Sequence, residues 1–249
     1  MTRVAVSGAG GKLAGPIIDG IVASDDLELA ALYNPNRAGR EMAGTIISGD
    51  ARGVSADVVV ETAHPDTVFA NLEAWRDAGI AAVVGTSGFT PTRLEELRQM
   101  WGSDLPCLVV PNFSIGATLM MRFAAESAEH FEAIEVIERH HSDKPDAPSG
   151  TALATAMGIS ERGGGSSDVS KEIVPGSRGG DVGGVRVHSL RLPGIISHQE
   201  VAMSNTGEMF SIEHLSTSYD SFANGALLAI RRVQSLDGGV HLGLDTVLE

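Results

Sequence analysis

The segment Glu138-Arg139-His140-His141-Ser142-Asp143-Lys144-Pro145-Asp146-Ala147-Pro148-Ser149-Gly150-Thr151 gathers the densest set of reactive side chains in this 249-residue chain. Two adjacent imidazoles gain and lose protons near neutral pH. Lys144, four residues after His140, adds a compact positive charge. Ser149-Gly150-Thr151 reads as the start of a helix, Ser149 to Ile159, whose free backbone N–H groups attract anions. A proton donor, a cation and an anion cradle this close together describe a site for a small, negatively charged substrate that gains a proton. Adjacent histidines do not easily converge on one ion, and no Asp, Glu or His spacing nearby completes a tetrahedron, so no metal site is expected. The competing reading is two solvated surface histidines beside a solvated lysine. His64, His130, His188, His198, His214 and His241 are scattered, and most read as structural or surface residues. His188 and His198 fall in expected strands, and their approach to the site stays open.

A second chemical feature lies at the other end of the chain. The apolar run Arg3 to Ser7 is followed by Gly8-Ala9-Gly10-Gly11-Lys12-Leu13-Ala14-Gly15. Glycines at a strand-to-helix turn let backbone N–H groups approach a pyrophosphate at a helix N-terminus. A glycine-rich turn that holds no cofactor is the alternative. A carboxylate that bonds the adenosine ribose normally ends the second strand. Here that place reads Tyr33-Asn34-Pro35-Asn36-Arg37. Asn34 removes the repulsion toward a 2′-phosphate, Arg37 reaches toward one, and Lys12 adds positive charge nearby. NADPH is therefore expected to serve at least as well as NADH, unless Arg37 is only a solvated loop residue.

The elements needed to position these groups follow from periodicity. Strands are expected at Arg3–Ser7, Leu27–Leu32, Asp57–Glu61, Ala81–Val84 and Cys107–Val110. Leu13, Ile17, Ile21 and Val22 recur at helical spacing between the first two. Further helices are expected over His64 to Ala78, with Pro65 at the first helical position, and over Pro91 to Trp101. Alternating strands and helices imply a doubly wound parallel α/β sheet with ligand loops at the strands' carboxyl ends. Those loops are Gly8–Leu13, Gly85-Thr86-Ser87-Gly88-Phe89 and Pro111-Asn112-Phe113.

From about residue 114 the rhythm changes to α+β. A helix, Gly116 to His130, leads to the strand Ala133–Arg139, the histidine loop and the Ser149 helix. Gly163-Gly164-Gly165-Ser166-Ser167 reads as a flexible surface loop. Val185–Leu192, Ser197–Ser204 and Met209–Leu215 read as strands of an antiparallel or mixed sheet, half-exposed on one face. The last helix, Ser221 to Val233, carries Phe222, Ala226, Leu227 and Ile230 on one side.

Composition narrows the class. Apolar residues make up 43% of the chain, as in ordered globular proteins. Acidic residues outnumber basic ones by 32 to 18, for a net charge of −14, which argues against a nucleic-acid or anionic-membrane binder. An anionic substrate then needs a local positive pocket. No apolar run is long enough to span a bilayer. Met1-Thr2-Arg3 enters a strand directly, without a basic-then-apolar leader, and the one cysteine, Cys107, sits in an apolar strand. A cytoplasmic location is the default expectation.

The segment Glu138-x-His140-His141-x-x-Lys144-x-Asp146-Ala147-Pro148-Ser149-Gly150-Thr151 resembles the signature of the dihydrodipicolinate reductases, also called 4-hydroxy-tetrahydrodipicolinate reductases. Gly8–Leu13 resembles that family's cofactor loop, Gly85–Phe89 its Gly-Thr-Thr-Gly segment, Val110–Ser114 its Ala-Pro-Asn-Phe-Ser segment, and Ser221–Ala226 its closing helix. The resemblance implies a Rossmann-like dinucleotide-binding domain, 1–113 with 220–249, and an α+β substrate-binding and oligomerisation domain, 114–219. It implies a homotetramer that reduces the dihydrodipicolinate synthase product with NADPH or NADH, on the route to diaminopimelate and lysine. The substrate is a cyclic imine with two carboxylates; hydride adds at C4 and the resulting enamine is protonated at carbon. By position, His140 is the general acid and Lys144 binds a carboxylate and assists protonation. His141, Gly150 and Thr151 line the substrate site. Gly8, Gly11, Lys12, Leu13, Asn34, Arg37, Gly85, Thr86, Ser87, Pro111, Asn112 and Phe113 hold the cofactor. Domain closure is expected to assemble the site.

Four departures from the family pattern stand out. Ala14 replaces the third loop glycine, Glu61-Thr62-Ala63 stands where Asp-Phe-Thr is common, Ser87 replaces a threonine, and Asp143 puts a negative charge next to Lys144. Two other classes remain at this level: a different two-domain reductase acting on another anion, and a non-catalytic nicotinamide sensor. A sensor needs no proton donor.

Overall fold

The computed structural model describes residues 1–166 and 170–248. The chain divides into two compact units, Met1–Ile115 with Tyr219–Glu249, and Gly116–Ser218.

In the first unit, β1 (Thr2–Ser7), α1 (Ala14–Val22) and β2 (Leu27–Tyr33) form the opening unit. After the short β3 (Glu41–Met42) and β4 (Thr45–Ser48), the chain runs through β5 (Val58–Glu61), α2 (Val68–Asp77), β6 (Ala81–Val84), α3 (Pro91–Trp101) and β7 (Pro106–Val109). α4 (Ile115–Ser127) leaves this unit. The eight-stranded sheet has the order β13-β7-β6-β5-β1-β2-β4-β3, where β13 is Gly239–Leu242. β2 and β5 both pair with β1 in parallel, on opposite sides. The chain therefore winds outward one way from β1 and then the other, leaving a crevice at the carboxyl end of β1.

Strand alternation assigns the two faces. Val4, Val6, Val58, Val60 and Val83 pack with α1 and with α6 (Ala223–Val233), whereas Ala5, Val59, Ala82 and Val84 pack with α2 and α3. Both faces are covered, which is why these strands are continuous apolar runs. Ala226, Leu227, Ala229, Ile230 and Val233 of α6 are buried in the first of these cores. Gly225 permits the close approach: a Cβ there would sit 1.9 Å from the Phe113 carbonyl oxygen.

The second unit holds a five-stranded mixed sheet, β12-β11-β8-β10-β9. Its strands are β8 (Ala133–His140), β9 (Gly180–Val182), β10 (Val185–Arg191), β11 (Ser197–Asn205) and β12 (Glu208–Ser216), with α5 (Gly150–Glu161) between β8 and β9. β10 runs parallel to β8 and β11 antiparallel to it. Ile134, Val136, Val185, Val187, Val201 and Met203 face Met120, Ala124, Ala152, Ala156 and Ile159 of α4 and α5. Among the described residues no helix is long and apolar enough to cross a membrane.

Several elements differ from the sequence expectation. α2 starts at Val68, not near Pro65. His64–Thr67 forms a turn instead, closed by the Thr67 amide and hydroxyl on the His64 carbonyl at 3.0 and 3.1 Å. The Pro65 carbonyl is taken by the Arg93 guanidinium at 2.8 Å rather than by a helical N–H. Ser221 and Phe222 lie in a 3-10 turn before α6. The glycine loop after α5 is tied to β8: the Ser166 hydroxyl lies 3.2 Å from both the amide and the carbonyl of Ile134. Ser167, expected in the same loop, lies outside the described residues.

Candidate functional site

The glycine turn follows β1 directly. Gly8 and Gly10 both take φ of +83°, a left-handed conformation that favours glycine. The Gly8 and Ala9 amides bond the Tyr33 carbonyl at 2.9 and 3.2 Å, which ties the turn to the end of β2. Asn34 completes the tie, its Nδ2 donating to the Ala9 carbonyl at 2.8 Å and its Oδ1 accepting from the Asn36 amide at 3.0 Å. Arg37 closes the 3-10 turn Pro35–Arg37, and its side chain lies over Gly10, where a Cβ would meet Nη1 at 2.8 Å. Gly11, Lys12 and Arg37 are exposed, and Leu13 sits at the N-cap of α1, partly buried against the core. The rim of this turn thus carries positive charge and no carboxylate at the position that ends β2.

The next two loops lie at the carboxyl ends of β6 and β7. Gly85 donates its amide to the Glu61 carbonyl at 2.9 Å, and the Phe113 ring packs so closely that a Cβ on Gly85 would overlap it at 2.3 Å. Thr86 is buried, its hydroxyl donating to the Ala63 carbonyl at 2.9 Å, while Ser87 and Pro111 are exposed. Asn112 accepts the Ser114 amide at 2.9 Å. Phe113 is only 2% exposed, so its ring belongs to the core and what it can offer a ligand is backbone. Beneath these loops sits Glu61, fully buried, accepting from the Ala63 amide at 2.8 Å and from Trp75 Nε1 at 2.9 Å. Burial pushes its carboxyl pKa up, against the lowering effect of the bonds from Trp75 and Ala63. The residues at this strand end fit a dinucleotide: a glycine turn at the crevice, open backbone, and cations at the rim.

In the second unit the site grows out of the core strip. Along β8 the inward positions are Ile134, Val136, Glu138 and His140, so apolar packing gives way to chemistry over the last two. His140 is therefore the last residue of the strand, which runs one residue further than expected, and His141 opens the loop that follows. The same register places Arg191 of β10 and Ser197 of β11 beside His140. Glu138 is fully buried and accepts Arg191 Nη2 and Nη1 at 2.9 and 3.0 Å. His140 Nδ1 bonds the same carboxylate. Burial would raise the Glu138 pKa, but the bonds from Arg191, Ser189 and His140 outweigh it and hold the group ionised, below the usual carboxylate range. Burial lowers the His140 pKa, Glu138 opposes that, and the charges of Lys144 and Arg191 add to the lowering.

The loop after β8 turns on the Lys144 amide, which bonds the His141 carbonyl at 3.2 Å. Lys144 Nζ donates to both Asp146 oxygens at 2.7 and 2.9 Å, and this pairing is the main reason the Asp146 pKa is low. The extra charge of Asp143 does not take the ammonium; Asp143 is exposed and Asp146 is the partner. Ser149 caps α5, accepting the Ala152 amide at 3.1 Å, and Gly150 and Thr151 form its first turn.

His188 and His198, whose approach to the site was open, have the opposite strand parity to Glu138 and His140. His188 bonds Glu135 at 2.8 Å, and His198 lies against Arg139 at 2.7 Å and pairs with Glu213. Neither joins the His140 cluster. No group of three or more potential metal ligands occurs among the described residues. Glu138 was quoted from sequence only as the first residue of the family signature, without a role, and Arg191 was not singled out. Glu138 carried a signal, since it falls on the inward parity set by Ile134 and Val136; Arg191 carried none without the β8–β10 register.

Residues 2–113 match the family described as dihydrodipicolinate reductase, N-terminus, and residues 116–248 match dihydrodipicolinate reductase, C-terminus. The 4-hydroxy-tetrahydrodipicolinate reductase of Nocardia farcinica is 44% identical, covering 99% of this chain and 98% of its own. That of Thermobifida fusca is 43% identical, covering 100% and 99%. The structure of dipicolinate-bound dihydrodipicolinate reductase from Paenisporosarcina sp. TG-14 superposes with a TM-score of 0.86 at 30% identity, covering all of both chains.

Proposed function

The chain belongs to the dihydrodipicolinate reductase family, and from that premise we propose that it reduces 4-hydroxy-tetrahydrodipicolinate, with loss of the 4-hydroxyl as water before hydride adds at C4, to tetrahydrodipicolinate with a nicotinamide nucleotide, in diaminopimelate and lysine biosynthesis. The observation that carries this reading is the acid–cation cluster of His140 and Lys144 at the end of β8, anchored on a buried carboxylate. The Paenisporosarcina relative is described with dipicolinate bound, a planar dicarboxylate of the same class as the proposed substrate.

The glycine turn, with Gly8, Gly11, Lys12, Leu13, Asn34 and Arg37, would hold the adenosine and pyrophosphate, and Gly85, Thr86, Ser87, Pro111, Asn112 and Phe113 would frame the nicotinamide half. When bound, the reduced nicotinamide supplies the hydride. The chain's residues supply charge and the proton. Lys144 exchanges its Asp146 partner for a substrate carboxylate, and the first turn of α5, Gly150 and Thr151, offers N–H groups to the same dianion. His141 lines the loop beside them. His140, with Nδ1 engaged by Glu138, delivers a proton from Nε2 to the enamine carbon. Exposed Lys12 and Arg37, with no acid at position 34, support use of NADPH at least as well as NADH.

Assembly as a cytoplasmic homotetramer through the sheets of the second unit is part of the same proposal. Its support is the apolar edge strand β12, where Met209, Phe210 and Leu215 are 76%, 45% and 54% exposed. Light scattering should return the mass of four chains; a monomer at micromolar concentration would overturn this part. The activity itself is tested by nicotinamide oxidation with the product of purified dihydrodipicolinate synthase. Turnover with that product supports the reading, and none at any pH between 6 and 9 overturns it.

A further inference from the structure

We propose that Glu138 is a positioning residue that fixes the ring orientation and tautomer of His140, and that Arg191 holds Glu138 and the Lys144 loop in register for that task. The inference rests on the reading of His140 as proton donor and goes beyond it. Glu138 occupies the inward position after Ile134 and Val136, where an apolar side chain would extend the core. A buried ion pair there costs desolvation that a hydrophobic replacement avoids. The pair is nonetheless bidentate, with both Arg191 Nη atoms on the two Glu138 oxygens at 2.9 and 3.0 Å, while the buried Arg191 Nε has no hydrogen-bond partner among the described residues.

What the pair holds gives it a role. Glu138 Oε2 accepts His140 Nδ1, so the neutral ring keeps its proton on Nδ1 and turns Nε2 toward any ligand. Arg191 Nη2 also donates to the Asp146 carbonyl at 2.6 Å, and the Asp146 carboxylate in turn holds Lys144 Nζ at 2.7 Å. One guanidinium thus sets the spacing between the acid and the cation. The charged groups acting on His140 are Glu138 on its own strand, Arg191 on β10 and Lys144 on the following loop. The β11 residues opposite, Ser197 and Gln199, and the first turn of α5 are uncharged. Glu138 is the one group of the three that favours the imidazolium; without it the ring stands between two cations.

The test is the pH dependence of kcat and kcat/KM with the synthase product for wild type, Glu138→Gln, Glu138→Asp and His140→Gln. Glu138→Gln should lower kcat by roughly 10- to 100-fold, less than or equal to loss of the acid itself. Its alkaline limb should move to lower pH, because a general acid must be protonated and the imidazolium has lost its counter-charge. Substrate KM should change little, and Glu138→Asp should recover part of both effects. A wild-type limb and kcat in folded Glu138→Gln, with His140→Gln inactive, would overturn the inference while leaving the proton-donor reading intact. Full turnover in His140→Gln would overturn the reading beneath it, and the inference with it. A measurement on the unaltered protein covers misfolding of the variants: ¹⁵N NMR of labelled histidines, with His140 assigned by its loss in His140→Gln. The Nδ1–H tautomer is expected for the neutral ring, and the Nε2–H tautomer overturns the inference.

Discussion

Replacing Arg37 by alanine should weaken NADPH selectively. Arg37 is exposed at the end of its 3-10 turn, lies over Gly10 and makes no ion pair among the described residues, so its charge is available to a ligand at the glycine turn. A hydrogen bond to a charged partner contributes about 1.5–3 kcal/mol when desolvated, and solvent exposure brings this to about 1–2 kcal/mol. At 1.4 kcal/mol per factor of ten, that is a loss of about 5- to 30-fold in kcat/KM for NADPH, with NADH nearly unchanged. Asn34→Asp should shift preference the other way, toward NADH, by restoring repulsion of the 2′-phosphate. The structure adds a qualification to that variant. Asn34 Nδ2 also ties the Ala9 carbonyl at 2.8 Å, a bond that aspartate cannot donate. Both cofactors should therefore bind less well in Asn34→Asp, and the informative number is the NADPH-to-NADH ratio of kcat/KM in the three proteins. A wild type that strongly prefers NADH, with Arg37→Ala affecting both nucleotides equally, would refute the reasoning.

Three further outcomes are expected. Lys144→Ala should lower kcat and raise substrate KM in steady-state assays, because the ammonium both holds a carboxylate and stabilises developing charge, while nucleotide affinity by fluorescence titration stays unchanged. A chain ending near residue 219 should be insoluble and unable to bind nucleotide, because it removes the buried face of α6, Ala226 to Val233, from the core it shares with α1; a soluble, nucleotide-binding truncation would contradict this. Glu61→Ala should lower unfolding stability in urea by about 2–5 kcal/mol, since it leaves the buried Trp75 Nε1 and the half-buried Ala63 amide without an acceptor.

Much of the fold was legible because the strands of the first sheet are buried on both faces and read as short apolar runs. The α6 side chains repeat at helical spacing because one face of that helix is buried and the other is not. What escaped is physically instructive. β3 and β4 are two and four residues long and lie at the sheet edge, so they carry almost no periodic signal. β13 starts on Gly239 and is defined by pairing with β7, more than a hundred residues earlier in the chain. Pro65 suggested a helix start, but Arg93 claims its carbonyl and delays the helix to Val68. In the site, His140, Lys144 and the Ser149 cap announced themselves by residue type and spacing. The support beneath them did not, because Arg191 meets Glu138 only through a parallel strand pairing that no local pattern encodes. Strand parity also separates His188 and His198 from His140, and that distinction needs the register to be known.

The most direct measurement is a coupled assay that supplies the product of purified dihydrodipicolinate synthase and follows nicotinamide absorbance for wild type and His140→Gln. Wild type should oxidise the nucleotide with this substrate and not with aspartate semialdehyde or homoserine. His140→Gln should turn over roughly a hundredfold or more slowly, the range expected for loss of a positioned acid, with nucleotide binding intact. Wild-type turnover in His140→Gln, or a wild-type enzyme inert toward the synthase product and active on one of the other two compounds, would contradict the assignment of reaction and site.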